Sequence, residues 1–157
     1  MSGELTTLLL GALPVSEVRG ALPIAMFVHN FSPLKSYILA VLGNLLPVLP
    51  VLFVLTRFSE FLMRKIYFLN RFLTWLFERT RKRHGDHFES YRFIPLALFI
   101  FVAIPLPLTG AWSGILAAIV FGIPFWRAAA AIMLGVITAG GIVLAISLLS
   151  AGAGKLF

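Results

Sequence analysis

Residues 5–28 form an almost wholly apolar run, broken at its middle by Glu17 and Arg19. Pro14 and Pro23 bracket the two charges, and Gly20 follows the arginine. A run of this length suits a membrane-spanning helix. Proline, however, removes helical hydrogen bonds, and charge at bilayer depth is costly enough to need a purpose. Two folds satisfy the pattern. One is a single kinked spanning helix with the charges near its centre. The other is a pair of half-length helices, 5–13 and 21–29, meeting at a charged tip. At 1.5 Å per residue each piece reaches roughly 14 Å, about half of a ~30 Å hydrocarbon core. The second fold is a re-entrant hairpin, which enters and leaves on one face, and it is the expectation adopted. Such irregular backbone persists at membrane depth only where protein or water covers it.

Composition settles the solvent. Of 157 residues, 60% are hydrophobic and 12% charged, with a net charge of +7, whereas a soluble domain carries roughly 25% charged residues. The mean hydropathy is +0.99. An integral membrane protein is expected, folded as one membrane domain over residues 1–157. Nine of the thirteen Lys and Arg residues fall within 57–92, a distribution that reflects topology rather than nucleic-acid binding. The absence of cysteine excludes thiolate catalysis, disulfides and Cys-ligated metals. No paired carboxylates, catalytic histidine or metal cluster occurs in the apolar blocks, so no enzyme, no cofactor and no metal site is expected. The start, Met-Ser-Gly-Glu, lacks the basic residues of a secretory signal, and cleavage is not expected.

Along the chain, Pro33 sits at a plausible first helical position and residues 34–55 are long enough to span. Gly43-Asn44, Pro47 and Pro50 predict a kink there. Asn44 should bond a neighbouring helix or the hairpin backbone, with substrate contact as the sharper alternative. In 57–92, Leu62, Ile66, Leu69, Leu73 and Leu76 recur at spacings of four and three, opposite Arg57, Glu60, Arg64, Arg71 and Glu78. This is a basic amphipathic connector, cytoplasmic by the positive-inside rule. His84, Asp86 and His87 form a polar loop with only a weak metal-binding pattern. Residues 93–104 and 115–121 are again short apolar pieces, separated by Pro105, Pro107, Thr109, Gly110, Ser113 and Gly114. Residues 125–150 can span, with small residues suited to close helix packing.

The two halves therefore repeat one plan. Pro14-Val15-Ser16 corresponds to Pro107-Leu108-Thr109, Gly20 to Gly114, Ser32-Pro33 to Ile123-Pro124, and Leu42-Gly43 to Leu134-Gly135. The predicted fold is all-α integral membrane with two inverted repeats, 1–56 and 93–157, joined by the connector. Each repeat is a re-entrant hairpin (4–29 and 93–121) plus one transmembrane helix. A hairpin and one span change sides once, so the repeats begin on opposite faces, a transporter architecture. Arg127 is then cytoplasmic, and Lys35 and Lys155 external.

Residues 17–23, Glu-Val-Arg-Gly-Ala-Leu-Pro, and the 105–114 segment resemble the two motifs of the prokaryotic small multi-drug export protein family. The length and basic middle also fit. More distantly, that family is similar to the DedA/VTT membrane proteins, which are thought to pair re-entrant hairpins and some of which move phosphate-bearing lipid carriers. The longer arginine-containing second motif of DedA proteins is missing here. The resemblance implies a multi-pass protein of the prokaryotic cytoplasmic membrane.

The returning half-helix of each hairpin points its free N–H groups and positive dipole end to mid-membrane. With Ser16, Thr109 and Ser113 to cap or line those ends and Arg19 beside them, an anionic phosphate or carboxylate head group is favoured. Glu17 is the natural proton- or cation-responsive group. The leading expectation is a proton-coupled secondary transporter of small amphiphilic anions, working as a homodimer in the bilayer. Three alternatives stand beside it. Glu17 could instead bind lipophilic cations for export. The Glu17–Arg19 pair could be a fixed tie for broken backbone. The chain could be a non-transport scaffold whose basic helix recruits a partner or anionic lipid.

Overall fold

In a computed structural model that describes residues 2–65, 90–106 and 109–153, the chain is all-helical, with no strand among those residues. Among the described residues lie six helices: α1 (Gly3–Ala12), α2 (Glu17–Phe27), α3 (Pro33–Lys65), α4 (Ser90–Ala103), α5 (Ala111–Val120) and α6 (Phe125–Ala153). Two stretches, Pro33–Phe58 of α3 and Phe125–Gly152 of α6, are long and apolar enough to cross a membrane. Most of the connector (66–89), its His84–Asp86–His87 loop, Pro107 and Lys155 lie outside the described residues.

The boundaries differ from expectation in an informative way. Helix α2 starts at Glu17 and α5 at Ala111, each four residues earlier than the apolar pieces suggested. Glu17, Arg19 and Gly20 thus sit at the start of α2, and Trp112, Ser113 and Gly114 at the start of α5. A carboxylate is favourable at a helix N-terminus and small residues do not block the first turn. Pro23 lies inside α2, and α3 continues through Pro47 and Pro50 into the first polar residues of the connector, as far as Lys65.

Helices α1 and α2 lie side by side in opposite directions. Their joint is 13–16, and a Cβ on Gly3 would lie 2.9 Å from the His29 ring and 3.0 Å from Phe31. The base of this pair is fastened to the start of α3, where Lys35 Nζ lies 2.7 Å from Glu4 Oε1 and 4.2 Å from the Phe31 ring centre. From there α1 runs parallel to α3 in backbone contact. A Cβ on Gly11 would lie 2.8 Å from Ala40 O, and one on Gly43 would meet the Leu8 carbonyl oxygen and lie 2.9 Å from its Cα. Only glycine permits that approach. It brings the 13–16 joint level with Asn44, eleven residues and roughly 16 Å along α3.

The second pair meets α6 in a comparable place. Cβ atoms on Gly114 and Gly135 would each lie 2.7 Å from Val102, so α5 and α6 close around this α4 side chain. The long helices are antiparallel, since Tyr37 lies against Gly140 while Phe53 lies against Phe125, with ring centres 5.5 Å apart. The Tyr37 hydroxyl donates to Ile137 O at 2.9 Å across this contact.

The interior is built from small residues. Ala21, Ala25, Ala40, Ala111, Ala118, Ala128 and Ala139 are buried, whereas Leu42, Leu46, Phe53, Trp126, Leu134 and Leu149 face outward. That arrangement would aggregate in water. In lipid it lets helix backbones approach while bulky apolar groups contact acyl chains.

Candidate functional site

The joints of the two short pairs meet between the long helices. Glu17, Val18 and Arg19 of α2, Asn44 of α3, Val102 of α4, Pro105, Thr109 and Gly110 of the second joint, Ala111 of α5, and Val136 and Ala139 of α6 line one narrow cleft. The enclosed space is about 10 Å³, scarcely room for one water, so this form is closed around its own side chains.

Glu17 is buried at 3% exposure and has φ +47°, the left-handed region that side chains disfavour. Its carboxylate explains the position. Oε2 lies 3.1 Å from Arg19 Nη2, and Oε1 accepts from the Trp112 N–H at 3.4 Å. The Ala111 N–H faces the same group. Helix α5 has no side-chain cap of its own at Gly110, and Glu17 supplies one from a different hairpin. Gly110 makes this possible by lacking a side chain, because a Cβ there would overlap the carboxylate, 2.6 Å from its carbon.

Arg19 completes the clasp by donating from Nη1 to Leu106 O. One ion pair therefore serves both kinds of orphan backbone group at the second joint: N–H groups at the start of α5 and a carbonyl after α4. The Trp112 indole returns the link, donating from Nε1 to Ala12 O at 3.2 Å.

Of the hydroxyls expected to cap or line the helix ends, Thr109 lines the cleft, and all three donate to carbonyls. Ser16 Oγ donates to Leu10 O and closes the end of α1, and Ser16 makes no cap bond to α2. Thr109 Oγ1 accepts from Leu106 N–H at 3.1 Å and donates to Ile104 O at 2.6 Å. Ser113 Oγ donates to Gly110 O at 3.1 Å. All three tie their own joint. Pro14 lies in the exposed turn of the first joint and Pro105 in the second, while Gly20 and Gly114 lie in helix.

Asn44 is 1% exposed, and neither Oδ1 nor Nδ2 has a hydrogen-bond partner. The bond to a neighbouring helix or to the hairpin backbone is not made. A buried amide left unpaired costs about 1–3 kcal/mol per group, and this one lines the cleft. Its residue type was legible in the sequence, but its lack of partners was not. The role of Trp112 was also missed, because its backbone N–H and indole act on residues about a hundred positions away.

No curated protein and no solved structure matches the chain. Residues 17–142, from the buried carboxylate through most of α6, match the family described as "putative small multi-drug export protein". With two long apolar helices and an outward-facing apolar surface, the chain is a membrane protein and belongs to this small multi-drug export family.

Proposed function

We propose that the protein is a secondary transporter of small amphiphilic molecules with an anionic phosphate or carboxylate head group, with Glu17 coupling transport to protons. One observation carries this reading. A buried Glu17–Arg19 pair and an unpartnered Asn44 converge where two short helix pairs end, beside the middles of two antiparallel long helices.

The short pairs are re-entrant hairpins in inverted repeats. Support comes from equivalent seats, since Gly43 of α3 receives α1 and Gly135 of α6 receives α4. The first pair fastens at the N-terminal end of α3, and the antiparallel long helices put the corresponding end of α6 on the opposite side. Broken helices meeting at mid-depth are the usual setting for a substrate path. Two spans and two hairpins enclose little volume, so two copies work together. The protein sits in a prokaryotic cytoplasmic membrane with residues 57–92 on the cytoplasmic side, and it performs no covalent chemistry.

The native chain has no cysteine, so single cysteines at Ser16 and Thr109 can be labelled from either face with a membrane-impermeant thiol reagent. Labelling that switches face with pH or added amphiphile is expected. Labelling of neither position from either side would defeat the transport reading, and flux into proteoliposomes then identifies the cargo. The family description names drug export, and a second reading is that Glu17 binds lipophilic cations for export. Arg19→Ala separates the two, since anion binding requires Arg19 and cation binding does not.

A further inference from the structure

We propose, resting on that transport reading, that the Glu17 carboxylate is a tethered stand-in for the transported anion. A proton taken up by Glu17 exchanges it for a monoanionic head group of carboxylate size. The seat is already built around an anion that belongs to the chain itself. Arg19 stands 3.1 Å from one oxygen, the start of α5 presents the Trp112 N–H to the other, and Gly110 leaves the space open. A helix N-terminus with an adjacent guanidinium binds free carboxylates and phosphates by the same contacts.

Two features mark the occupied seat as a closed state rather than a finished structure. Glu17 is held at φ +47°, a strained backbone for a buried glutamate. Asn44 lines the same cleft with a donor and an acceptor unused. Releasing the carboxylate removes the need for the first, and a guest head group that accepts from Nδ2 satisfies part of the second. A ligand shifts such an equilibrium by its differential contacts with the two states, and the Asn44 contact is made only by an incoming guest.

Charge decides the class of guest. Among the described residues facing Glu17, Arg19 on α2 is the one charged group. Helix α3 contributes the neutral Asn44, α6 contributes Val136 and Ala139, and the second joint contributes Pro105, Thr109 and Gly110. The seat as built balances one carboxylate, so neutralising Glu17 frees it for one negative charge. Protonated Glu17 leaves neutral and one monoanion takes its place, so one proton and one anion move together with no net charge.

Binding to the full-length protein with Trp75→Phe and Trp126→Phe tests this, because Trp112 is then the remaining fluorophore at the seat. Decanesulfonate serves as a permanently charged monoanion, ethanesulfonate as the head group without a chain, and decyltrimethylammonium as the cation. Sulfonate affinity should rise at least about tenfold as pH falls through the carboxylate range. Glu17→Gln should bind at every pH as tightly as the unmodified seat does at low pH. Glu17→Gly, whose backbone suits φ +47°, provides the same comparison if the glutamine variant folds poorly. Sulfonate binding to the native seat that ignores pH, or that is not tightened by either variant, overturns the exchange while leaving anion transport standing. Binding of decyltrimethylammonium, with no sulfonate binding to any variant, overturns the transport reading beneath it. Ethanesulfonate binding as tightly as decanesulfonate assigns the seat to water-soluble anions and overturns the amphiphile.

Discussion

The first hairpin carries Glu17 and Arg19 and rests on α3 backbone to backbone, through Gly11 and Gly43. The second has no charged side chain at its described joint and rests on α6 chiefly through the Val102 side chain, with Phe99 O 3.2 Å from a Cβ on Gly135. The contacts between them are correspondingly one-sided. The charged joint reaches across and satisfies the backbone of the neutral one, at Trp112 N–H and Leu106 O. The first pair thus holds the charged groups, while the second presents backbone to them.

The largest way to break this asymmetry is Arg19→Ala, which leaves a carboxylate with 4% side-chain exposure beside no counter-ion. Removing one member of a buried pair costs roughly 3–5 kcal/mol; the 22% exposure of Arg19 places this case at the low end. Unfolding in detergent would measure it, and the double variant Glu17→Gln/Arg19→Gln should recover most of the loss. A single variant as stable as the native chain would show that the clasp holds nothing together.

The seats come next. Gly43→Ala puts a methyl group into the Leu8 backbone and should cost about 2–3 kcal/mol, at the upper end of overpacking. Gly114→Ala meets the Val102 Cγ2 at 2.7 Å and should cost less. Adding Val102→Ala should restore Gly114→Ala, whereas no side-chain change rescues Gly43→Ala. Gly141→Ala, with nothing within 4 Å, is the silent control. Equal losses at 43 and 114 would erase the difference between the hairpins.

Asn44 tests the site itself. Asn44→Leu removes two buried, unpaired polar atoms and should stabilise the protein by about 1–2 kcal/mol while abolishing flux in proteoliposomes. A destabilised variant would mean that the amide has a structural partner after all. Trp112→Phe should lose about 1 kcal/mol with its bond to Ala12 O, read from the same unfolding curves. The smallest effect belongs to the exposed Glu4–Lys35 contact at the hairpin base. Lys35 holds the Glu4 carboxyl below its ordinary value. Any support it gives is therefore complete above the usual carboxylate range and disappears as pH falls through the lowered value. Glu4→Gln should flatten that dependence and change little else in a pH series of unfolding curves.

Much of the helix plan was legible because apolar runs interrupted by proline and glycine have few alternatives in lipid. The two long helices, the short apolar pieces and the charged pair were all read from local pattern. The early starts of α2 and α5 were not, because Glu17 and Trp112 are ordinary helix residues whose neighbours merely resemble breakers. The hydroxyls were read as capping or lining the helix ends, and Thr109 does line the cleft. Local geometry lets Ser16, Thr109 and Ser113 reach the nearer carbonyls of their own joints.

By itself the sequence determined that this chain enters a membrane, that its apolar runs break at two places, and that one break carries opposite charges. Those properties follow from hydrophobicity and from the missing N–H of proline, which act over a few residues. Tertiary structure alone decided what the charges hold. The partners of Glu17 and Arg19 lie about ninety positions away, at Trp112 and Leu106. Burial left Asn44 without a partner in the cleft they share. Hydrogen bonds depend on distance in space, and no spacing along the chain encodes which tip will meet the other.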